Sequence, residues 1–368
     1  MGRYGIEAEF YGIDPWDAAT MLNKAGVPTE REDYNHRTRD HWKLVDDSSV
    51  TGEGNELVSP ILTTGLTTGA TQTKRAMDTL RDNGGRIDRS CGLHVHHDAS
   101  RMTMANVVEL IGLYGLYQDV INTLLPPSRR GHGSNEYTRP LTANDWREAK
   151  SNEKWVRDRG DEPKTLPAQN MPMWGGRYQA INLYSLEAHG TLEFRQHSGT
   201  LNPTKANWWV KLTNGLVTRA RIGVPRIEGI LQAFDHSWAD ARADQTLAGL
   251  CRMVGMSPEG KAYFEQRQLD LEAAQSLSQH EPSPDPEDKA SEEYETGYAR
   301  VDHCGNCGEH YDNCECCGEC GGYGGDCTCC RNCGSPRPYV CGCCSECGWG
   351  NNTHATWCDL REPEPEGE

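Results

Sequence analysis

Three short segments of this chain alternate apolar and chemistry-bearing side chains with a period of two. In Gly5-Ile6-Glu7-Ala8-Glu9-Phe10 the apolar residues are Ile6, Ala8 and Phe10. Successive side chains of a β-strand point to opposite faces, so Glu7 and Glu9 share the other side. In Gly92–His97, Leu93 and Val95 oppose His94 and His96. In Thr191–His197, Leu192 and Phe194 oppose Glu193 and Arg195, and strict alternation puts His197 on their side. The pattern requires a sheet with one face on a core and the other bearing carboxylate, imidazole and guanidinium groups.

An ordinary solvated strand face carries Thr, Lys and Ser, which suit a pleated surface. Two neighbouring glutamates repel each other and need a cation nearby. Glu56, in Gly54-Asn55-Glu56-Leu57, adds a further carboxylate. Mostly oxygen ligands with one imidazole suit Mg²⁺ or Mn²⁺ better than zinc, and an adjacent arginine suits an anion. Read alone, these residues describe a metal-and-anion site. They leave room for a metal-dependent hydrolase, in which His94 and His96 with Asp98 hold zinc and activate water. They also leave room for a non-catalytic zinc-repeat adaptor. There is no persuasive serine or cysteine triad, and Cys91, at a strand start, reads as structural.

Further strands are expected at Asn55–Ser59 and Tyr178–Tyr184. Helix starts are marked by a capping residue and proline at Asp14-Pro15, Asn202-Pro203 and Ser257-Pro258. A long helix is expected from Thr103 past Val120, stopped by Pro126-Pro127, and another over Thr71–Leu80, ended by Asn83-Gly84-Gly85. Residues 126–176 are polar and weakly periodic, and read as a long excursion covering a site.

Cysteine and charge divide the chain. Of 17 cysteines, only Cys91 and Cys251 precede residue 279. The net charge is −17, of which −14 falls in residues 279–368. Neither part offers the basic surface that nucleic acid requires. The expected organisation is a catalytic domain over 1–278, an acidic Pro-rich disordered linker over 279–303, Cys-rich repeats over 304–360 and a disordered acidic end over 361–368.

The repeats contain close cysteine pairs in four consecutive units. These are Cys304, Cys307, Cys314 and Cys316; Cys317, Cys320, Cys327 and Cys329; Cys330, Cys333, Cys341 and Cys343; and Cys344, Cys347 and Cys358, with His354 available to complete the last set. Such pairs suit tetrahedral Zn²⁺ sites, and the metal would supply much of the folding energy of modules this small. With no apolar signal segment and no membrane-length apolar run, the protein is expected to be cytoplasmic, where clustered thiols favour metal over disulfides. No membrane or nucleic-acid partner is expected. A protein partner docking on the tail is.

Several segments follow a known motif order: Gly5–Phe10, Trp42–Val50, Gly54–Ile61, Cys91–His96, Arg177–Leu183 and Gly190–Leu201. Over roughly residues 3–225 the chain resembles the amidoligase family of carboxylate–amine ligases, distant relatives of glutamine synthetase and glutamate–cysteine ligase. The resemblance implies an α+β, glutamine-synthetase-like domain, a curved antiparallel sheet with helices packed on one side. It implies ATP and Mg²⁺ (or Mn²⁺) as cofactors, and formation of an amide or peptide bond through an acyl phosphate. The substrate would be a small molecule, peptide or protein bearing an amine or a carboxylate. By the same resemblance Glu7, Glu9, Glu56, His94 and Glu193 are metal ligands, His96 contacts phosphate, Arg195 clamps the γ-phosphate and Arg177 meets nucleotide phosphate. The sequence departs from the pattern at Asp46-Asp47-Ser48, which has no glycine between acid and serine. His97 and Asp98 have no assigned role.

Overall fold

The Glu-x-Glu segment forms β1 (Arg3–Phe10), in the middle of the sheet between β4 (Asn55–Val58) and β6 (Gly92–Asp98), antiparallel to both. The computed structural model describes residues 2–35, 37–52, 54–64, 67–130, 136–158, 177–223, 242–243 and 245–280. These belong to one compact unit, Met1–Glu281. The linker, the cysteine repeats and every zinc ligand expected in them lie outside the described residues.

Strand order is β2 (Thr29–Arg31), β3 (Trp42–Asp46), β4, β1, β6, β8 (Thr191–Ser198), β7 (Ile181–Asn182), with β5 (Leu62–Thr63) also paired to β1. All these pairs are antiparallel except β2 with β3, which corrects the expectation of a wholly antiparallel sheet. A parallel neighbour requires the chain to return to the end at which β2 began before it enters β3.

One sheet face is dry. Ile6, Ala8, Phe10, Leu57, Leu93, Val95 and Phe194 are at most 1% exposed and join one core with helix residues. Each large apolar side chain buried this way contributes about 1.5–3 kcal/mol. Helices α1 (Pro15–Lys24), α2 (Thr67–Asp82), α3 (Met104–Thr123) and α6 (Pro203–Ile222) contribute to that core. α7 (Leu247–Met253) and α8 (Pro258–His280) add to it. Helix α3 is apolar on most of its circumference, as an internal helix must be.

The expected caps form. Asp14 accepts from the backbone N–H of Trp16 at 2.9 Å, Asn202 from that of Thr204 at 2.9 Å, and Ser257 from that of Gly260 at 3.3 Å. Two elements differ from the sequence reading. The stretch read as an irregular excursion contains α4 (Ala143–Asp158), which buries only a narrow stripe including Trp146 and Ala149. Its start is a capping box: Thr142 N donates to Asp145 Oδ2 at 2.7 Å, and Asp145 N to Thr142 Oγ1 at 3.3 Å.

The strand expected over Tyr178–Tyr184 shrinks to β7 and runs into the short helix α5 (Ser185–His189). Asn182 Oδ1 takes the N–H of Tyr184 at 2.9 Å, and the Ser185 hydroxyl bonds the Asn182 carbonyl at 3.1 Å. These local bonds turn the backbone out of the ladder. Among the described residues no helix is long and apolar enough to cross a membrane.

Candidate active site

Cross-strand register assembles the polar face. Glu7 stands beside His94, Glu9 beside Glu56, His96 beside Glu193, and Glu193 beside Asn182. All five strands involved turn their apolar residues the other way. The polar side chains therefore meet on the floor of a cleft of about 1010 Å³, which Arg195 and Arg177 also line.

His94 is the hub. Its Nδ1 lies 3.3 Å from Glu7 Oε2 and 3.5 Å from Glu193 Oε1, and its Nε2 lies 3.4 Å from Glu9 Oε1. His96 Nε2 lies 3.2 Å from Glu7 Oε1, and its Nδ1 lies 3.0 Å from the Thr191 hydroxyl. Three overlapping groups could each hold a cation: Glu7, Glu56 and His94; Glu7, His96 and Glu193; and Glu9, Asp47 and Glu56. In each, the candidate ligand atoms lie within 4.8 Å of one another. A fourth group, Glu30, Glu32 and His41, lies elsewhere, and there Arg39 holds Glu32 through two hydrogen bonds of 2.7 Å.

The electrostatics fit a bound cation. Burial, reinforced by the charges of Glu7, Glu9, Asp47 and Glu193, pushes the Glu56 carboxyl well above its ordinary value. Burial alone would also raise Glu7, but the adjoining His96 and His94 outweigh it and hold that carboxyl well below the usual range. Burial likewise disfavours charge on His96, yet Glu7 and Glu193 overcome it and lift the imidazole to about 9. His96 Nε2 and Arg195 Nε are buried without a well-aligned hydrogen-bond partner. Crowded carboxylates and unfulfilled donors in one cleft suit a divalent cation beside an anion.

Arg195 pairs with Glu193 Oε1, while Glu193 Oε2 accepts from Asn182 Nδ2 at 2.6 Å. Arg177 is exposed on the cleft wall, its guanidinium 5.3 Å from the Tyr178 ring. Every residue expected in the site on sequence grounds outside the tail thus lies in this cleft.

Asp47 and Asn182 also reach the site, though the sequence reading gave them no role. Asp47 reaches the carboxylate group through the turn that it opens, where its Oδ1 accepts from Ser49 N at 2.8 Å and its N–H donates to the Gly54 carbonyl at 2.9 Å. That acid–x–Ser turn, inside the segment that departs from the family pattern, was the available signal. Asn182 was legible as a polar residue within an apolar strand, in the Arg177–Leu183 segment of the motif order.

Two neighbours leave the site, and a third is held by a salt bridge at its wall. The pairing of β6 with β8 slips between Leu93 and Val95, so His197 falls opposite Leu93 on the apolar side. This corrects its expected position on the charged face. His197 packs 5.1 Å from the Trp209 ring, and burial drives its imidazole down to about 3. His97 also faces the core, 2.8 Å from the Thr213 hydroxyl, and is likewise held neutral by burial. Asp98 pairs with Arg3 at 2.8 Å and accepts from Ser100 N at 2.9 Å. Cys91 is buried, which lifts its thiol to about 11, in keeping with a structural role.

Residues 1–217 match a family model described as "Putative amidoligase enzyme". A comparison with curated proteins finds no match. Among solved structures, one described as "Apo GmaS without ligand" is 12% identical, with a TM-score of 0.34, over 74% of this chain and 69% of that one. A likeness at that level carries no argument about fold or chemistry. The family match spans more than half of the 368 residues and contains every cleft residue named above: the chain belongs to the amidoligase family.

Proposed function

We propose that the protein is an ATP-dependent carboxylate–amine ligase that forms an amide or peptide bond through an acyl phosphate. The observation that carries this reading is the juxtaposition of two carboxylate–imidazole groups and one group of three carboxylates with Arg195 on one cleft floor. A carboxylate resists attack by an amine because its charge repels the nucleophile and oxide is a poor leaving group. Transfer of the γ-phosphoryl to one carboxylate oxygen, with release of ADP, supplies a leaving group. The amine then attacks the acyl carbon, and phosphate departs as the amide forms.

Bound Mg²⁺ or Mn²⁺ supplies charge neutralisation for the nucleotide phosphates. Glu7, Glu9, Glu56, Asp47, His94 and Glu193 would hold it. Arg195 would meet the transferred phosphoryl group, His96, whose Nε2 adjoins Glu7, would contact phosphate, and Arg177 would reach the nucleotide from the wall. Asn182 orients Glu193. No nucleophilic side chain is needed, which agrees with the inert setting of Cys91.

A hydrolase built on His94, His96 and Asp98 has less support, because Asp98 is engaged by Arg3 and belongs to none of the candidate metal groups. The substrate is a small molecule, peptide or protein with an amine or a carboxylate, handled in the cytoplasm. The cysteine repeats bind Zn²⁺ and dock a protein partner or present the substrate.

The test is a screen of amino acids and peptides for ADP release, repeated with Glu193→Gln and Arg195→Ala. Release that depends on Mg²⁺ and on both residues is expected. Release unchanged in both variants would contradict the assignment.

A further inference from the structure

The slip between β6 and β8 coincides with a cluster of hydrogen bonds on the hidden side of the sheet. Leu93 pairs with His197 and Val95 with Phe194, so His94 alone faces both Arg195 and Gln196. Two residues against one is a β-bulge, which re-aims side chains and reverses facing beyond it. In the regular register Arg195 would stand directly opposite His94, within the 4.5–5.5 Å or so that separates cross-strand Cβ atoms. Its cation would then press on the imidazole that Glu7 and Glu9 approach. In the bulged strand the guanidinium turns to Glu193 instead.

Gln196 is the residue that anchors this arrangement. It is 0% exposed and makes three hydrogen bonds away from the cleft. Its Nε2 donates to Asn122 Oδ1 at 2.7 Å and to the Arg129 carbonyl at 3.0 Å, and its Oε1 accepts from the Tyr114 hydroxyl. Tyr114 and Asn122 belong to α3, and Arg129 ends the short turn Pro127–Arg129. The Arg129 guanidinium in turn donates to the Cys91 carbonyl and, at 3.3 Å, to that of Ser90. One turn therefore grips β8 at its bulge and the start of β6, where the Gly92 N–H donates to the Glu9 carboxylate. A buried side chain satisfied by three specific partners favours one register, because slipping would orphan all of them.

We propose that Gln196 is a positioning residue that locks the β8 bulge and thereby fixes the aim of Arg195. The role given to Arg195 rests on the ligase reading; the direction in which it points does not.

The test joins structure with kinetics. A crystal structure of the Gln196→Met protein is expected to show Leu93 released from its pairing with His197, and Arg195 moved toward His94. In turnover, kcat is expected to fall by about 10²-fold, the usual penalty for a misplaced catalytic group. KM for ATP should change less than about twofold, since binding is not what is lost. Adding Arg195→Ala to Gln196→Met should cost nothing further.

If the methionine variant does not fold, Tyr114→Phe removes one of the three bonds from the α3 side. A smaller loss is then expected, again absent when Arg195 is alanine. A Gln196→Met structure that keeps the Leu93–His197 pair and the Arg195–Glu193 contact would overturn the proposal. So would losses that multiply in full with Arg195→Ala. A parent protein without nucleotide turnover would count against the ligase reading, and the register comparison would then decide this proposal alone.

Discussion

Glu7 and His96 meet on the diagonal between β1 and β6, Oε1 3.2 Å from Nε2, while the other oxygen of Glu7 lies 3.3 Å from His94, its direct cross-strand neighbour. One carboxylate thus belongs to two of the three candidate metal groups. Glu7→Gln keeps the shape and removes the shared charge. Mn²⁺ affinity, measured by titration calorimetry, is expected to drop by at least about 10- to 100-fold, with the fold retained. Unaltered affinity would remove Glu7 from the site.

Gly54 sets the height of the Asp47 turn. A Cβ there would lie 2.3 Å from Val50 Cβ and 2.5 Å from the Asp47 carbonyl. Gly54→Ala is therefore expected to cost about 1–3 kcal/mol by overpacking and to weaken cation binding by displacing Asp47 from Glu9 and Glu56. Thermal melting and Mn²⁺ titration on the same sample check both effects. A variant with normal metal binding would show that Asp47 contributes nothing.

His197 gives the stability a pH dependence of defined sign. Its folded value is about 3, against roughly 6.5 for an unfolded histidine. Between those values the unfolded chain takes up the proton, so folded stability declines as the pH falls from about 6.5 toward 3. Replacing it by His197→Leu should make the stability-versus-pH slope shallower over that window, by up to about 1.4 kcal/mol per pH unit. Urea denaturation at pH 7, 6, 5 and 4 measures this. Identical slopes would mean that the imidazole is not buried neutral.

His197 also marks the boundary of what the sequence could reveal. The period-two pattern correctly sorted β1, β6 and the first half of β8, because apolar burial enforces strict alternation. A bulge breaks that rule through contacts made by Gln196 to α3, which are distant in sequence and leave no local trace. Helix α4 was overlooked for a different reason. Its apolar stripe is narrow, and its Thr142–Asp145 capping box stood in a stretch dominated by charge. Asp47 was visible as an acid, but only the closed turn under Gly54 brings it to Glu9 and Glu56.

Deletion of residues 279–368 is expected to leave turnover on a small amine intact while abolishing bound zinc, which elemental analysis of the parent and truncated proteins would measure. Loss of all turnover would make the cysteine repeats part of the catalytic apparatus.

The most direct test of the central claim is ATP binding by the full-length protein, measured calorimetrically with Mg²⁺ and with chelator. Binding is expected only with the metal, and Glu193→Gln and Arg195→Ala should each weaken it or remove the turnover that follows. Nucleotide binding indifferent to Mg²⁺, or none at all, would contradict the assignment of this cleft to ATP-driven amide formation.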